Sequence, residues 1–424
     1  MRLEFRLLLP RLKATTTTTR IPSALWWQTG WPRLAIAGAA VLIIGLRKHD
    51  SLIHPQFYGE DGSLFFVEAA AHPWKAILEP YAGYLHLLPR LIAILGSALP
   101  VLWVPGFYAW CSLVVAGTVA WTVLSPRVCL PCAWAAPLAL AAVPNSGEVY
   151  LNLCTLQFTL AVGLLAFVAT EDPSSPAQKW GDVLWLLTLE LTGPFGVLFV
   201  PLFVWRVWSR PSRWSFGFLA LALGGAALQW WHLRGLLGPA APYFWTALHE
   251  IAGMTPRFFL LGLPVSARDH EVLFAVLGLA LALFFAGLCW QRRRTVPDAW
   301  ILLAGSLAVL LSSWYKCYHY NWDLADAANG DRYFFPERVF LIWLGTILAY
   351  SSGIGVRRTA AALALVVLLA DSPQFVYPAA PNLDWPLYSG PIQRGVPTRA
   401  PILPVGWYLV YPGRPRPAPA PLSP

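Results

Sequence analysis

The chain has 424 residues, of which 57% are apolar, 14% aromatic and only 12% charged, with a mean hydropathy of +0.55. A soluble globular protein carries about 25% charge, so too few charges remain here to cover a water-facing surface. That excludes a soluble enzyme, a disordered tail protein and a coiled coil, and leaves a polytopic membrane protein. At about 20 residues per span plus loops, the length allows roughly ten spans.

The net charge is +9 and the pI about 9.4. The basic residues stand in short stretches beside apolar runs, as the positive-inside rule arranges them. No nucleic-acid motif accompanies them, so no nucleic-acid partner is expected. Six cysteines are spread along the chain. Cys129-Leu-Pro-Cys132 has redox spacing without a strand–helix context, and reads as small residues of membrane helices.

Residues 1–33 carry Arg2, Arg6, Arg11, Lys13, Arg20 and Arg33 against the single acid Glu4. The Thr15–Thr19 run and Pro22 speak against a folded element, so the segment reads as a basic cytoplasmic tail. The first apolar stretch starts only near Leu34, and no cleavable signal peptide is expected. The first span, Arg33–Leu46, is short, so Arg33 and Arg47 are expected to snorkel. Further apolar runs lie near 84–99, 103–124, 128–144, 151–169, 182–205, 214–233, 271–290, 299–314, 337–350 and 359–371.

The expected fold is therefore an all-α polytopic membrane protein of about 10–11 transmembrane helices. Its membrane domain covers 34–371. Arg206/Arg210/Arg213, Arg292/Arg293/Arg294 and Arg357/Arg358 read as cytoplasmic. Loops 47–83, 234–270 and 315–336 then fall outside, together with the Pro-rich tail 372–424. Residues 91–126 hold no charge but are broken by Pro100 and Pro105. They make either two short crossings or one crossing plus an interfacial helix, and Arg127 favours placing Asn145–Asn152 outside. In the first outer loop, Glu60, Asp61, Glu68, Lys75 and Glu79 interrupt the apolar run, so short interfacial helices are expected there. In the tail, Trp385, Tyr388, Trp407, Tyr408 and Tyr411 are more aromatics than disorder needs. An ordered extracytoplasmic cap over 384–411 is expected.

Candidate chemistry gathers in these outer loops. In His54-Pro-Gln-Phe-Tyr-Gly-Glu-Asp-Gly-Ser63, Glu60 and Asp61 are adjacent acids at a membrane surface, suited to general-base work on a hydroxyl. The other reading is that Asp61 N-caps a helix over Ser63–Ala71. His86 and Arg90 are four apart and share a helix face, fit for a phosphate or for interfacial anchoring. Glu148 and Asn152 have the same spacing and suit a hydroxyl-rich ligand, or simply open a helix. Glu190 lies inside an apolar run beside Thr192-Gly-Pro-Phe-Gly196, where an acid is expensive and suggests function.

The loop Trp314–Asp323 and the segment Asn329–Arg338 are rich in aromatics and cations. Aromatic faces, Tyr320 and Tyr333 among them, suit sugar rings. Lys316, His319, Arg332 and Arg338 suit phosphate oxygens. An aromatic belt with anchoring arginines is the competing reading, and Arg332 also has Glu337/Arg338 as neighbours to pair with. No metal site is indicated. No glycine-rich nucleotide loop is present, so no soluble nucleotide co-substrate is expected.

The order of these motifs resembles the GT-C fold of integral membrane glycosyltransferases, in its bacterial polytopic branch. The resemblance rests on Tyr58-Gly-Glu-Asp-Gly62, Pro80-Tyr-Ala-Gly-Tyr-Leu-His-Leu-Leu-Pro-Arg90, Asn145-Ser-Gly-Glu-Val149 with Asn152, and Leu191-Thr-Gly-Pro-Phe195. Gly330-Asp-Arg-Tyr333 and Pro401-Ile-Leu-Pro-Val-Gly-Trp407 add to it. It implies an inner-membrane enzyme that moves a sugar from a polyprenyl-phosphate-linked donor to an acceptor hydroxyl on the extracytoplasmic face, with inversion. It implies Asp61 or Glu60 as base and Glu148 as a second acid. Arg332, with Arg90 or His86, would hold the lipid phosphate, and Tyr58, Tyr84 and Asn152 would contact substrate. The metal-binding acid pair of many GT-C proteins has no clear counterpart here, so no metal is expected. The alternative class is a secondary transporter or a lipid or polysaccharide translocation protein, with Glu190 carrying protons. Against it, no internal repeat is visible.

Overall fold

The computed structural model describes residues 30–236, 246–258, 266–293, 296, 299–326 and 330–413. The basic tail before residue 30, Arg294 and the end after residue 413 lie outside the described residues.

Among the described residues, the regular structure is almost entirely helical, with a single two-stranded sheet. The membrane domain is built from α1 (Gly30–Arg47), α2 (Leu87–Ser97), α3 (Val104–Val123), α4 (Ala135–Ala142), α5 (Leu156–Val168), α6 (Pro176–Glu190) and α7 (Phe195–Ser209). It continues with α8 (Arg213–Leu233), α9 (Ala247–Phe258), α10 (Glu271–Arg292), α11 (Ala299–His319), α12 (Phe335–Tyr350) and α13 (Ile354–Asp371). A small cap of α14 (Trp385–Gln393) and an antiparallel hairpin, β1 (Thr398–Ile402) with β2 (Trp407–Tyr411), follows.

Among the described residues, five helices are long and apolar enough to cross a membrane: α1, Val101–Val123, α8, Arg268–Arg292 and α11. That is about half the number expected from apolar runs. The difference has a physical cause, clearest at α5. Its 13 residues are all buried, and all but Gln157 and Thr159 are apolar, with no polar face. They rise only about 20 Å, short of the roughly 30 Å hydrocarbon core. A helix of this pattern is walled by protein on all sides, and hydropathy does not distinguish protein walls from lipid.

Two other runs depart from expectation. The run 182–205 is two helices, broken at Thr192-Gly193-Pro194. Gly193 has φ +96°, and a Cβ there would meet Gln157 at 2.6 Å, so both conformation and space demand glycine. The loop 234–270 contains α9, whose Pro256, Arg257 and Phe258 are buried. At the other extreme α11 runs through His319, so Lys316 and His319 stand on its last turn and not in a loop.

The helices sort their ends. At one end of the bundle Arg33 donates to the Trp121 carbonyl at the close of α3, Arg127 pairs with Asp182, and Arg206 binds the Val168 carbonyl and Asp172. Arg357 donates to the Tyr350 carbonyl there as well. The other end gathers the close of α1, the first loop, residues 145–155, residues 330–333 and the cap. Val101 N–H donates to Gln393 of the cap at 2.7 Å, so α3 begins at this second end. The isolated bridge of His86 with Thr192 lies there too. Residues 84–124 thus make one traverse plus the short α2, and Arg127 and Asn145 lie at opposite ends.

The first loop forms the expected short helices, Asp50–Ile53, Asp61–Phe66, Val67–Ala71 and Pro73–Ala76, and the segment Asp61–Phe66 is wound as a π-helix. The cap is bound to this loop. Tyr58 bridges to Leu403, Leu403 N–H donates to the Phe57 carbonyl at 2.9 Å, and Trp385 packs edge-on to Phe57.

Candidate active site at one end of the bundle

The site grows from the close of α1. Arg47, expected to snorkel, is instead fully buried. Its guanidinium donates to the carbonyls of Ala141, Val143 and Phe375 and to the Tyr377 hydroxyl, and pairs with Asp371 at 3.4 Å. A planar five-donor group suits this work, for it satisfies carbonyls that the short α4 leaves unpaired. Arg47 therefore ties the end of α1 to α4, α13 and the tail.

Lys48 follows. Its ammonium donates to the carbonyls of Gly147 (3.0 Å) and Tyr150 (2.8 Å), reaches Asn152 Oδ1 at 3.5 Å and lies 5.1 Å from the Tyr58 ring. Among the described residues no acid forms an ion pair with it. Burial pushes its pKa down to about 8, against the pull of Cys154, Asp61 and Glu148. The sequence reading missed Lys48, because a cation closing an apolar run looks like any flanking anchor.

The two adjacent acids of the first loop have different tasks. The side chain of Asp61 does not cap its own helix. It is buried, and its two oxygens accept the backbone N–H groups of Leu153 and Cys154, each at 2.8 Å. These N–H groups precede α5, so Asp61 pins the irregular segment 145–155 to the first loop. Glu60 points elsewhere. It is half-buried, and its Oε1 accepts the Tyr81 hydroxyl at 2.6 Å. Tyr84 is buried, accepts a bond from Gln157 Nε2 at 3.1 Å and lies against His86, with ring centroids 4.7 Å apart.

Glu148 and Arg332 meet across 184 residues, with Nη1 2.6 Å from Oε2, both about a third exposed. Tyr58 shares Glu148, whose charge, after burial, holds the phenol above its ordinary pKa. Burial opposes the charge on Arg332, but Tyr333 and Glu148 outweigh it and hold the guanidinium above its ordinary value. Arg332 also stands 5.2 Å over the Tyr333 ring. From there Trp322 (5.9 Å) and Tyr320 (5.5 Å from Trp322) continue a shelf of rings inclined by 31° and 30° to one another, ending where Lys316 Nζ reaches the Tyr320 hydroxyl. His319 lies edge-on to Tyr320. Asn152 spends its amide on the Glu148 carbonyl (2.8 Å), so the two residues four apart touch without a helix.

A cavity of about 160 Å³ adjoins this group, lined by Lys48, Tyr58, Asn152, His54, Leu151 and the cap residue Leu403 among others. Its walls alternate hydrogen-bonding groups with apolar ones, as a hydroxyl-rich ligand requires.

Three of the residues expected to hold phosphate are buried among other groups. Arg338 does not pair with Arg332's partners. It is fully buried and donates to Asp331 (2.5 Å) and to the carbonyls of Arg257 and Pro144, while Asp331 also accepts Ser146 N–H. Arg90 is buried and bonds Glu68 at 2.5 Å. His86 precedes α2 and is buried among Phe65, Tyr81 and Tyr84, and neither ring nitrogen has a hydrogen-bond partner among the described residues. Glu190 is fully buried in a notch beside Gly196 and Gly225, and its oxygens have no hydrogen-bond partner among the described residues. Among the described residues no group of three or more His, Cys, Asp and Glu side chains is placed to hold a metal ion.

The clamp at Asp61 carries a prediction. In Asp61→Asn one oxygen becomes an NH2 group facing an N–H, leaving a buried donor unsatisfied at a cost of about 1–3 kcal/mol. Thermal unfolding of the purified protein should show a lowered midpoint, and an unchanged midpoint would refute the clamp. Burial raises the Asp61 carboxyl from 3.8 to about 7, although the two N–H bonds pull it down. Its folded form therefore holds the proton more tightly than the unfolded form. The resulting contribution to stability is complete below the ordinary value and is lost as pH rises through about 7. This slope should vanish in Asp61→Asn.

No protein-family model, no curated protein and no solved structure matches the chain.

Proposed function

We propose that the protein is a membrane glycosyltransferase of GT-C type that moves a sugar from a polyprenyl-phosphate-linked donor to an acceptor hydroxyl, with inversion. The observation that carries this reading is the meeting of Glu60, the Glu148–Arg332 pair, Lys48 and Tyr58 at one end of the bundle, beside a cavity and an aromatic shelf. Such a reaction needs a carboxylate to take the hydroxyl proton and a cation to receive the leaving phosphate. In this reading Glu60 takes the proton as the acceptor oxygen attacks the anomeric carbon. The bond from that carbon to the phosphate oxygen breaks, and Arg332 exchanges Glu148 for the departing lipid phosphate. Asp61 acts as a positioning residue. Rings along Tyr333, Trp322 and Tyr320 offer flat faces to sugar or lipid.

The test is transfer by the purified protein of radiolabelled sugar from a polyprenyl-phosphate-linked donor to extracted cell-envelope glycans. Absence of transfer across donors of several sugars would sink the reading. The buried, unpaired Glu190 favours a second reading, a proton-coupled transporter. Uptake into vesicles that is driven by a pH gradient and abolished in Glu190→Gln would select it.

The proposal also places the site end outside the inner membrane and the arginine-rich end in the cytoplasm. A cysteine at exposed Leu387 of the cap is then expected to react with an impermeant maleimide in intact cells, and a cysteine at exposed Arg213 is not. The reverse pattern would overturn the orientation.

A further inference from the structure

The bundle has a second cavity at its opposite end, of about 190 Å³, between α1, α3, α5 and α6. Its rim is cationic and hydroxylated, with Arg33, Arg127, Thr122 and Ser125, and its floor is apolar, with Phe167 and Trp185. Arg127 is already committed. Both of its terminal nitrogens bind Asp182, at 2.9 and 2.5 Å, and one also donates to the Glu171 carbonyl. That pair is close to neutral. Arg33 is different. It forms no ion pair among the described residues, donates only to the Trp121 carbonyl at 2.7 Å, and its Nε–H is buried without a partner. The guanidinium carbon stands 3.6 Å from the centre of the Trp121 ring, a cation–π contact that helps seat the charge. Among the described residues, Arg33 therefore brings to the cavity a positive charge that no acid balances, with an N–H group to spare.

The surroundings identify what such a charge would meet. The lining residue Trp121 is itself exposed, and so are Trp31 (81% exposed), Leu34 and Leu184, which stand within two residues of the lining residues Arg33 and Trp185 on α1 and α6. An anion that arrived without hydrocarbon would leave these faces uncovered. A lipid places its phosphate against the arginine and its chains along the apolar faces in a single binding event. Basic pockets between membrane helices take lipid headgroups by this combination.

We infer that this cavity is a binding site for the phosphodiester headgroup of an anionic phospholipid, with Arg33 as the residue that grips the phosphate. The site is separate from the proposed active site and does not depend on that reading. A planar guanidinium can meet two phosphate oxygens at once.

The experiment is native mass spectrometry of the full chain in detergent, titrated with phosphatidylglycerol or with phosphatidylcholine of the same acyl chains. One phosphatidylglycerol is expected to be retained in preference to phosphatidylcholine, and excess inorganic phosphate is expected not to displace it. Arg33→Gln should lower that preference about fivefold, the effect of one cation at a membrane surface. Arg213→Gln, an exposed arginine at the same end but outside the cavity, should leave it unchanged. Trp121→Phe, which keeps an apolar wall but weakens the seat of the guanidinium, should give a smaller fall in the same direction. Equal retention of both lipids would overturn the inference. So would equal losses in Arg33→Gln and Arg213→Gln, which would mean diffuse surface charge. Displacement by inorganic phosphate would mean a free-anion site in place of a lipid site.

Discussion

Glu60→Gln is expected to lower the rate of sugar transfer roughly 10²–10⁴-fold while leaving the protein folded. The size follows from removing a general base, and the sparing of the fold from what Glu60 touches. It precedes the short helix Asp61–Phe66, yet its side chain makes no capping bond. Its one side-chain bond among the described residues is the Tyr81 hydroxyl at 2.6 Å, and an amide oxygen accepts that equally well. The unfolding midpoint should therefore stay near that of the wild type, in contrast to Asp61→Asn. Tyr81→Phe removes only the group that orients Glu60, so its loss should be smaller and fall on kcat more than on KM. The rate in Glu148→Gln should fall mainly at low donor concentration, because Glu148 holds Arg332 and not the acceptor. Full transfer in Glu60→Gln with a large loss in Glu148→Gln would move the base to Glu148.

The second large effect is on stability. Asp331→Ala is expected to cost about 3–5 kcal/mol, the scale of breaking a buried ion pair by removing one partner. Arg338 is left as a fully buried cation with only carbonyl partners, and Ser146 N–H loses its acceptor. Chemical denaturation in detergent would read the loss. The double variant Asp331→Leu with Arg338→Met should recover part of it, since no lone charge then stays buried. A single variant as stable as the wild type would show that water or relaxation satisfies Arg338.

What the residues could announce by themselves was class and location. Low charge and long apolar runs fixed a helical membrane protein, because burial in lipid or protein demands apolar side chains and internally bonded backbone. The acids of the first loop, Glu148, and the cations and aromatics of 315–338 stood out because polar groups are scarce in such a chain. Tertiary structure decided everything that depends on partners distant in sequence. Glu60 and Asp61 are neighbours with the same chemistry, and only the approach of Leu153 and Cys154 made one a clamp and left the other accessible. Arg332 had nearer acids in the sequence, but Glu148 lies 184 residues away and takes it, while Asp331 takes Arg338. Arg47 and Arg33 both flank α1 and read alike. One is consumed by carbonyls, Asp371 and Tyr377, and the other stays unpaired over Trp121, because short α4 and the tail close over only one end of that helix. Hydropathy measures how apolar a segment is, whereas the spans, the clamp and the site depend on what each segment is packed against.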